Sequence, residues 1–358
     1  MRLLLITNDY PPKAGGIQQY LGNLVDAWPD PVHVVAPAHP GAPPDDRISR
    51  SGSTFMWPTR SLGEWIISTA REFEPEAVLF GAPHPLPVMG PRLRAELGVT
   101  YGVLTHGAEI TIPGAAPGAR QALAKVLRRA DVRFGVSNYT AERVERLTGS
   151  PVVFVGAGVD VDAFAPPPEG GHRVPVIGCV SRFVPRKGQH RLLEAVAALD
   201  RPAEVMLVGK GRKEHELRRL AARLDVETRF VIDPPWEQLP GLYRSMDVFC
   251  MPCSSRWGGL EVEGLGLVFV EASATGLPVL AGDSGGSSET VVPGETGFIV
   301  RSVGDIADGL NLLLDDSERA EEMGAAGRRF VEDHYTWDQV VARFEAGFES
   351  ADSVKLSG

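Results

Sequence analysis

A glycine-rich segment, Gly258–Ala272, offers the clearest chemistry in this chain through two of its three glutamates, Glu263 and Glu271. Glu263 is expected in a loop, and Glu271 near the first turn of a helix that runs to Thr275. Both carboxylates are then expected to face one cleft. The free backbone N–H groups between them would be those of Leu265, Gly266, Leu267 and Val268. Carboxylates accept hydrogen bonds from hydroxyl groups, so the segment suits recognition of a polyol. The structural alternative is an acidic pair that caps a helix.

Cations are expected where a strand of the second half meets a helix. The segment Ser181–Gly188 contains Arg182 and Lys187. Arginine offers a planar fork and lysine a point charge, both suited to a diphosphate. A solvated loop is the alternative. Gly209, which follows the next strand, marks a second and weaker permissive turn.

The segment after the first strand, Asn8–Gln18, leads into a helix through Gly15 and Gly16. Paired glycines let an anion approach the backbone, and the start of a helix favours negative charge. The spacing is neither that of a dinucleotide-binding loop nor that of a P-loop. A tight strand-to-helix turn explains the same residues without a ligand.

Short apolar runs alternate with helical-period segments along the whole chain, which indicates βαβ units on parallel sheets. Two sets of six strands predict an α/β protein of two Rossmann-like, doubly wound domains, with a ligand cleft between them. We expect the first domain at residues 1–167, with a returning helix at about 337–358, and the second at 168–336. The linker is expected at Pro166–His172.

Composition excludes several classes of protein. With 36 basic and 46 acidic residues, a net charge of −10 disfavours nucleic acid as a partner. The apolar runs are too short to cross a bilayer, and the first residues do not resemble a signal peptide, so we expect a cytoplasmic protein. The 3 cysteines fit a reducing compartment, and Cys250 and Cys253 are expected to be small buried side chains.

One basic amphipathic stretch stands out in the first half, Pro117–Arg133. It carries Lys125, Arg128 and Arg129 among leucine, alanine and valine residues. A solvated helix face explains such a stretch. The functional alternative is docking on an anionic membrane surface, as a peripheral contact with the inner face of the plasma membrane.

Several of these features together resemble the retaining GT-B glycosyltransferases of family 4. The Glu263–Glu271 spacing, the Gly15–Gly16 loop, the Arg182 and Lys187 pair, Gly158–Asp160 and Tyr335–Trp337 match that family's landmarks in order along nearly the whole chain. Closer phrases resemble the actinobacterial, GDP-mannose-dependent phosphatidylinositol mannoside mannosyltransferases. These phrases are Thr7–Pro12, Gly15–Gln18 and Glu261–Gly266.

The resemblance implies a role for each matching position on the donor side. Arg182 and Lys187 would neutralise the donor diphosphate, with Gly16 and Gly209 beside it. Glu271 would hold the nucleotide ribose and Glu263 the hydroxyls of the donor sugar. Leu265, Gly266, Leu267 and Val268 would offer backbone N–H groups to the donor.

The same resemblance implies the acceptor side and the reaction. His106 would contact the 6-hydroxyl of the sugar, and Asn8, Tyr10 and Gln18 would face a glycolipid acceptor. The donor would be GDP-mannose, no metal or other cofactor would be needed, and the sugar would be transferred at its front face with retention of configuration.

Departures leave alternatives open. The family usually has a glycine near Asp233, in the loop beside the nucleobase, and this chain has none there, so a UDP- or ADP-sugar with a small soluble acceptor remains an alternative. Asp160 and Asp162 mimic a metal-binding Asp-x-Asp but lie at the domain exit. A sugar-nucleotide epimerase, a nicotinamide-dependent oxidoreductase and a non-catalytic sugar-binding protein are the other classes considered.

Overall fold

The structure is a computed structural model that describes residues 1–167 and 174–356. The chain divides into two compact units, Met1–Gly158 with Trp337–Gly358, and Val159–Thr336. Most of the predicted linker, residues 168–172, lies outside the described residues.

The first unit is built on a parallel sheet of 7 strands in the order β3-β2-β1-β4-β5-β6-β7. The strands are β1 Leu3–Ile6, β2 Val32–Ala36, β3 Ile48–Arg50, β4 Ala77–Phe80, β5 Thr100–Thr105, β6 Val132–Gly135 and β7 Val153–Phe154. The helices are α1 Gly16–Ala27, α2 Arg60–Phe73, α3 Gly90–Leu97, α4 Ala108–Gly114, α5 Pro117–Arg128 and α6 Asn138–Thr148. Strands β1, β4, β5 and β6 are buried at every position, as expected for a parallel sheet covered by helices on both faces.

The second unit repeats this plan with a parallel sheet of 6 strands in the order β10-β9-β8-β11-β12-β13. Its strands are β8 Val176–Val180, β9 Glu204–Val208, β10 Thr228–Val231, β11 Val248–Met251, β12 Val279–Gly282 and β13 Gly297–Val300. Its helices are α7 Gln189–Val196, α8 Glu214–Leu224, α9 Leu239–Tyr243, α10 Leu267–Ala274, α11 Val303–Asp315 and α12 Ser317–His334.

The last helix, α13 Trp337–Leu356, belongs to the first unit. Its Phe344 and Phe348 pack against Phe134 of β6, with ring centroids 4.6 and 5.2 Å apart. This apolar contact fixes the end of the chain on the sheet where the chain began.

Two expectations about the fold differ from the structure. The first sheet has 7 strands instead of six, because the edge strand β3 is only 3 residues long and half-buried throughout, so no apolar pattern marks it. The second unit begins at Val159, before the expected boundary at residue 167. The N–H of Val159 donates to the carbonyl of Tyr335, and Phe164 packs on Tyr243, which ties residues 159–164 to the second unit.

Both sheets have a topological switch point, where the strand order reverses. In the first sheet this point lies between β1 and β4, and in the second between β8 and β11. Ligands of doubly wound sheets bind outside the carboxyl ends of such strands. The loops that follow β1, β4, β5, β8 and β11 are therefore where the site residues are sought.

Candidate active site

A buried ion cluster occupies the switch point of the second unit. Lys187 lies at the end of the loop after β8, and its Nζ donates to Oε2 of Glu263, in the loop after β11, at 2.7 Å. The guanidinium of Arg186 donates to the same oxygen. Nε of Arg186 also lies 3.8 Å from Oε1 of Glu261. Lys187 is 6% exposed and Glu263 9%, so the cluster is largely shielded from water.

The cations of this cluster keep Glu263 ionised. Burial alone would raise the pKa of Glu263, but the charges and hydrogen bonds of Lys187 and Arg186 outweigh burial and lower it to about 2. The carboxylate is therefore an acceptor of hydrogen bonds at every physiological pH. The same geometry holds the cations in place beside the carboxyl ends of the strands.

The start of α10 presents backbone donors next to this cluster. Gly266 precedes the helix with a φ of 91°, and a Cβ there would lie 2.6 Å from the ring of Phe269, so glycine is required. Within the described part of the chain, no partner accepts the N–H groups of Leu265, Gly266, Leu267 and Val268. Free amides and the dipole of a helix start favour an anion or an oxygen-rich ligand.

Glu271 has a different environment from that of Glu263. It lies in the second turn of α10, and its Oε2 accepts a hydrogen bond of 2.7 Å from the hydroxyl of Tyr243 in α9. Burial raises the pKa of Glu271 to about 7, and the hydrogen bond from Tyr243 opposes this rise only in part. Glu271 is thus poised between its two protonation states near neutral pH.

The two carboxylates are held separately. Glu271 is the fifth residue of α10, which begins at Leu267, so it lies near the first turn as expected. No hydrogen bond joins Glu263 to Glu271 among the residues described, and that both face one cleft stays a prediction. Each is held by its own donor, Glu263 by two cations and Glu271 by a phenol.

A second arginine joins Lys187 in the cluster. Arg186 contacts Glu263 beside Lys187, while Arg182 is exposed and its backbone carbonyl accepts a hydrogen bond from Gln189, so contact of Arg182 with a diphosphate stays a prediction. Sequence reasoning missed Arg186, although it directly precedes Lys187. Gly209 packs its backbone against this loop, because a Cβ there would lie 2.2 Å from the carbonyl oxygen of Ser181.

In the first unit, the loop after β1 brings Gln18 and Asp9 together. Nε2 of Gln18 donates to Oδ1 of Asp9 at 2.6 Å, and Nζ of Lys13 donates to the same oxygen at 2.7 Å. Gly16 starts α1, and the space beside its Cα is open to a distance of 4 Å. A ligand can therefore approach the backbone at Gly16.

Asn8 and Tyr10 are held by the protein itself. The side chain of Asn8 donates to the carbonyl of Met56 at 3.1 Å and accepts from its N–H at 2.8 Å. Burial raises the pKa of Tyr10 to about 12, with Asp26 and Arg47 as the next influences. Both residues shape the loop, and direct contact of either with an acceptor stays a prediction.

His106 follows β5 and lies beside the end of β4. Its Nε2 lies 3.0 Å from the carbonyl oxygen of Gly81, which can only accept, so Nε2 carries the proton. The edge of the Tyr20 ring packs on the imidazole at a centroid distance of 5.5 Å. Nδ1 makes no hydrogen bond within the described ranges, and in the neutral ring it is an acceptor for a ligand hydroxyl.

The basic helix α5 has fewer available cations than expected. Arg128 donates to the carbonyls of Thr148 and Leu147 at 2.8 and 3.3 Å, which caps the end of α6. Arg133 is buried and bonded to the carbonyls of Ala130 and Pro151. Lys125 and Arg129 are exposed. No helix that the structure describes is long and apolar enough to cross a membrane.

Three further sequence features have structural explanations. Oδ1 of Asp160 accepts the N–H groups of Asp162 and Ala163 at 3.1 and 3.0 Å, which forms a turn. Residues 1–167 and 174–356 contain no group of three or more His, Cys, Asp and Glu side chains arranged for a metal ion. The cysteines Cys179, Cys250 and Cys253 are free and buried, and burial raises the pKa of each.

Asp233 adopts the backbone conformation that favours glycine. Its φ is 47°, in the left-handed region that glycine adopts most readily. Its carboxylate forms an ion pair with Lys210, which follows β9. The aspartate thus keeps the turn and adds a charged pair at the edge of the second sheet.

Two Rossmann-like units, each with the strand order described above, define a GT-B architecture, and solved structures share it. A structure of Anabaena HepE in complex with UDP matches with a TM-score of 0.80 at 18% identity, covering 98% of this chain and 100% of that one. A sucrose-phosphate synthase from Thermosynechococcus elongatus matches with a TM-score of 0.78 at 20% identity, covering 99% of each chain.

Sequence comparisons give the family. Residues 14–163 match the family described as Glycosyltransferase Family 4, and residues 166–330 match Glycosyl transferases group 1. A GDP-mannose-dependent alpha-(1-6)-phosphatidylinositol monomannoside mannosyltransferase of Mycolicibacterium smegmatis is 39% identical, over 94% of this chain and 95% of its own length. Its counterpart from Mycobacterium tuberculosis is 37% identical, over 99% and 100%. The chain belongs to the family 4 glycosyltransferases.

Proposed function

We propose that this protein transfers mannose from GDP-mannose to a hydroxyl of a phosphatidylinositol mannoside-type glycolipid, with retention of configuration. The observation that carries this function is the cluster of Lys187, Arg186 and Glu263 at the second switch point, next to the free amides at the start of α10. Relatives that cover the chain from end to end and act on GDP-mannose support the choice of substrates.

The cluster suits a leaving group that gains negative charge. As the glycosidic bond to the donor breaks, charge develops on the nucleoside diphosphate, and fixed cations and amides stabilise that charge without reorganising. Lys187 and Arg186 supply the cations, with Arg182 free at the surface to add a third. Glu263 accepts hydroxyls of the sugar, and Glu271 accepts those of the ribose.

No covalent nucleophile is required in this scheme. The leaving phosphate oxygen lies on the same face as the incoming acceptor and helps to remove its proton, which explains retention. Nδ1 of His106 accepts a hydrogen bond from a hydroxyl of the sugar and so orients it, while Nε2 stays bonded to the carbonyl of Gly81. We expect turnover to persist in the presence of a chelator.

The donor can be tested by thermal unfolding with GDP, UDP and ADP and with their sugar conjugates. A ligand that binds only the native state raises the free energy of unfolding, by about 2.7 kcal/mol at a ligand concentration of about 100 times Kd. The melting temperature rises with it. We expect GDP and GDP-mannose to give the largest shifts. Incubation of GDP-mannose with vesicles that contain phosphatidylinositol monomannoside should then yield a lipid with one more α-linked mannose.

Other outcomes of this experiment would contradict parts of the proposal. A preference for UDP or ADP would preserve the transferase class and overturn the mannoside assignment. Rearranged sugar nucleotide formed without an acceptor would indicate an epimerase. The absence of any response to nucleotides would overturn the proposed site.

We further propose that α5 brings the enzyme to an anionic membrane through its exposed cations. Lys125 and Arg129 remain available, whereas Arg128 is used to cap α6. Each basic side chain near an anionic surface contributes about 1 kcal/mol to binding. The acceptor would be reached on the inner face of the plasma membrane.

Reversing both charges, with Lys125→Glu and Arg129→Glu, is expected to reduce co-sedimentation with anionic vesicles by at least about tenfold. The matched control is Arg219→Glu with Arg223→Glu, which makes the same charge change on exposed positions of α8. Equal loss of binding in both variants, or loss in neither, would rule out α5 as the contact. Binding to neutral vesicles should be weak for all three proteins.

A further inference from the structure

Tyr243 is a fully buried tyrosine, and its hydroxyl makes its short hydrogen bond to Glu271 on a different helix, α10. It ends α9, with its ring packed on Phe164 and Phe249 at centroid distances of 5.5 and 5.7 Å. Its hydroxyl lies 2.7 Å from Oε2 of Glu271 and 3.4 Å from the carbonyl oxygen of Val268. These aromatic contacts fix the ring, and with it the direction in which the hydroxyl points.

A buried tyrosine does not need a carboxylate as its partner. Tyr335 of the same unit is also buried, and its hydroxyl donates to the backbone carbonyl of Glu289 at 3.1 Å. Tyr243 has a carbonyl within reach, at Val268, yet its short hydrogen bond goes to Glu271. Packing alone therefore does not explain this contact.

The hydrogen bond acts on one oxygen of the carboxylate. A phenol O–H donates, so it stabilises the ionised carboxylate over the protonated one. Oε2 of Glu271 is occupied by this donor, while Oε1 makes no hydrogen bond in the ranges that the structure describes. The free oxygen can accept hydroxyl groups from a ligand.

The geometry points to Tyr243 as a positioning residue, which holds Oε2 of Glu271 so that the carboxylate presents Oε1 to the ribose hydroxyls of the donor nucleotide. This inference rests on the proposed function, because it assumes that Glu271 binds the ribose. It adds a residue that acts through Glu271 and does not itself touch the donor.

No other titratable group competes for Glu271. The elements packed against α10 are α12, β11, β12 and the turn Ser287–Thr290. Their titratable and charged groups are Cys250 on β11, Glu289 in the turn, and Glu318, Arg319, Glu321, Glu322, Arg328, Arg329, Glu332, Asp333 and His334 on α12. Arg328 donates to the carbonyls of Phe164 and Ala274 and pairs with Glu332 at 2.8 Å. Burial and the Tyr243 hydroxyl are the influences on the pKa of Glu271.

The test is the pH dependence of GDP binding by Tyr243→Phe, measured by calorimetry between about pH 6.5 and about pH 9. Without its donor, the ionised form of Glu271 is less favoured, so the midpoint of the binding profile should move up by about one pH unit. Affinity for GDP should fall by about fivefold near pH 7 and recover at the alkaline end. Titration of the nucleotide itself cancels in the comparison with the wild type.

Two further variants separate the possible results. Tyr335→Phe removes a buried hydroxyl of the same unit and should leave the profile of the wild type unchanged. Glu271→Gln should bind GDP weakly at every pH, with no midpoint. If Glu271→Gln binds GDP as well as the wild type, the proposed ribose site is wrong. If it binds weakly while Tyr243→Phe keeps the midpoint of the wild type, the positioning role of Tyr243 is overturned.

Discussion

Replacing Lys187 with methionine is expected to lower kcat/KM by about 10²- to 10³-fold, which is the usual cost of removing one preorganised group that stabilises developing charge. Nζ of Lys187 is fixed 2.7 Å from Oε2 of Glu263 and is shielded from water, so its field on a bound diphosphate is strong. Steady-state kinetics with GDP-mannose and a glycolipid acceptor measure the effect. Arg186 should preserve part of the binding of the donor.

A double variant tests whether this loss reflects folding. Methionine at position 187 leaves Glu263 buried beside Arg186 alone, and breaking a buried pair can destabilise a protein by about 3 to 5 kcal/mol. Combining Lys187→Met with Glu263→Gln removes one charge of each sign and leaves Arg186 beside Glu261, so the melting temperature should recover in part, yet activity should stay low. Lys213→Met, which breaks the exposed pair with Glu216, is the matched control. Activity of Lys187→Met within threefold of the control would refute the assignment.

The second large effect is on the free energy of unfolding. A substitution of Glu271 is expected to raise it, whereas most substitutions lower it. Burial raises the pKa of Glu271 from 4.5 to about 7, so the native state holds a proton that the unfolded state has released. The contribution of this group to stability is complete below about pH 4.5 and is lost as the pH rises through about 7. At pH 8, about 3 kcal/mol is an upper bound for the cost of burying its charge.

Glu271→Gln is therefore expected to be more stable than the wild type at pH 8, by about 1 to 3 kcal/mol, with little difference near pH 4.5. Denaturant unfolding at both pH values measures this. The exposed Glu194 offers a control, since Glu194→Gln should change stability equally little at both. A destabilised Glu271→Gln at pH 8 would show that the carboxylate supports the fold, contrary to this view. A loss of stability at a residue that serves binding or catalysis is a known trade-off, and it would apply to Glu271 if this residue binds the ribose as proposed.

The second sheet could be predicted closely because its strands are short, apolar and bounded by polar or glycine residues. The strands Glu204–Val208, Val248–Met251 and Gly297–Val300 are 5, 4 and 4 residues long. Strand β3 escaped prediction because an edge strand with half-exposed residues has no apolar pattern. The first residue of α10 could not be predicted, because Leu267–Val270 is an apolar run without helical period and the turn at Gly266 decides where the helix begins.

The site was predictable where its residues adjoin in sequence and not where folding alone joins them. Glu263, Glu271 and Lys187 follow from spacing and strand ends. Tyr243 could not be found in this way, because it lies in a different helix from Glu271 and is an ordinary apolar position in sequence terms. The sequence did contain a sign of Arg186, because it is a second arginine in the same loop. Which of Arg182 and Arg186 reaches Glu263 depends on which side chain points into the protein.

The buried cysteines allow the opening of the second unit to be measured by chemical modification. Cys179, Cys250 and Cys253 all belong to that unit, on β8 and at the end of β11, and each is 0% exposed. A thiol reagent reaches them only when these strands separate from their covering helices. Because the first unit has no cysteine, the rate of alkylation reports the opening of one half of the molecule alone, and a bound sugar nucleotide should slow it.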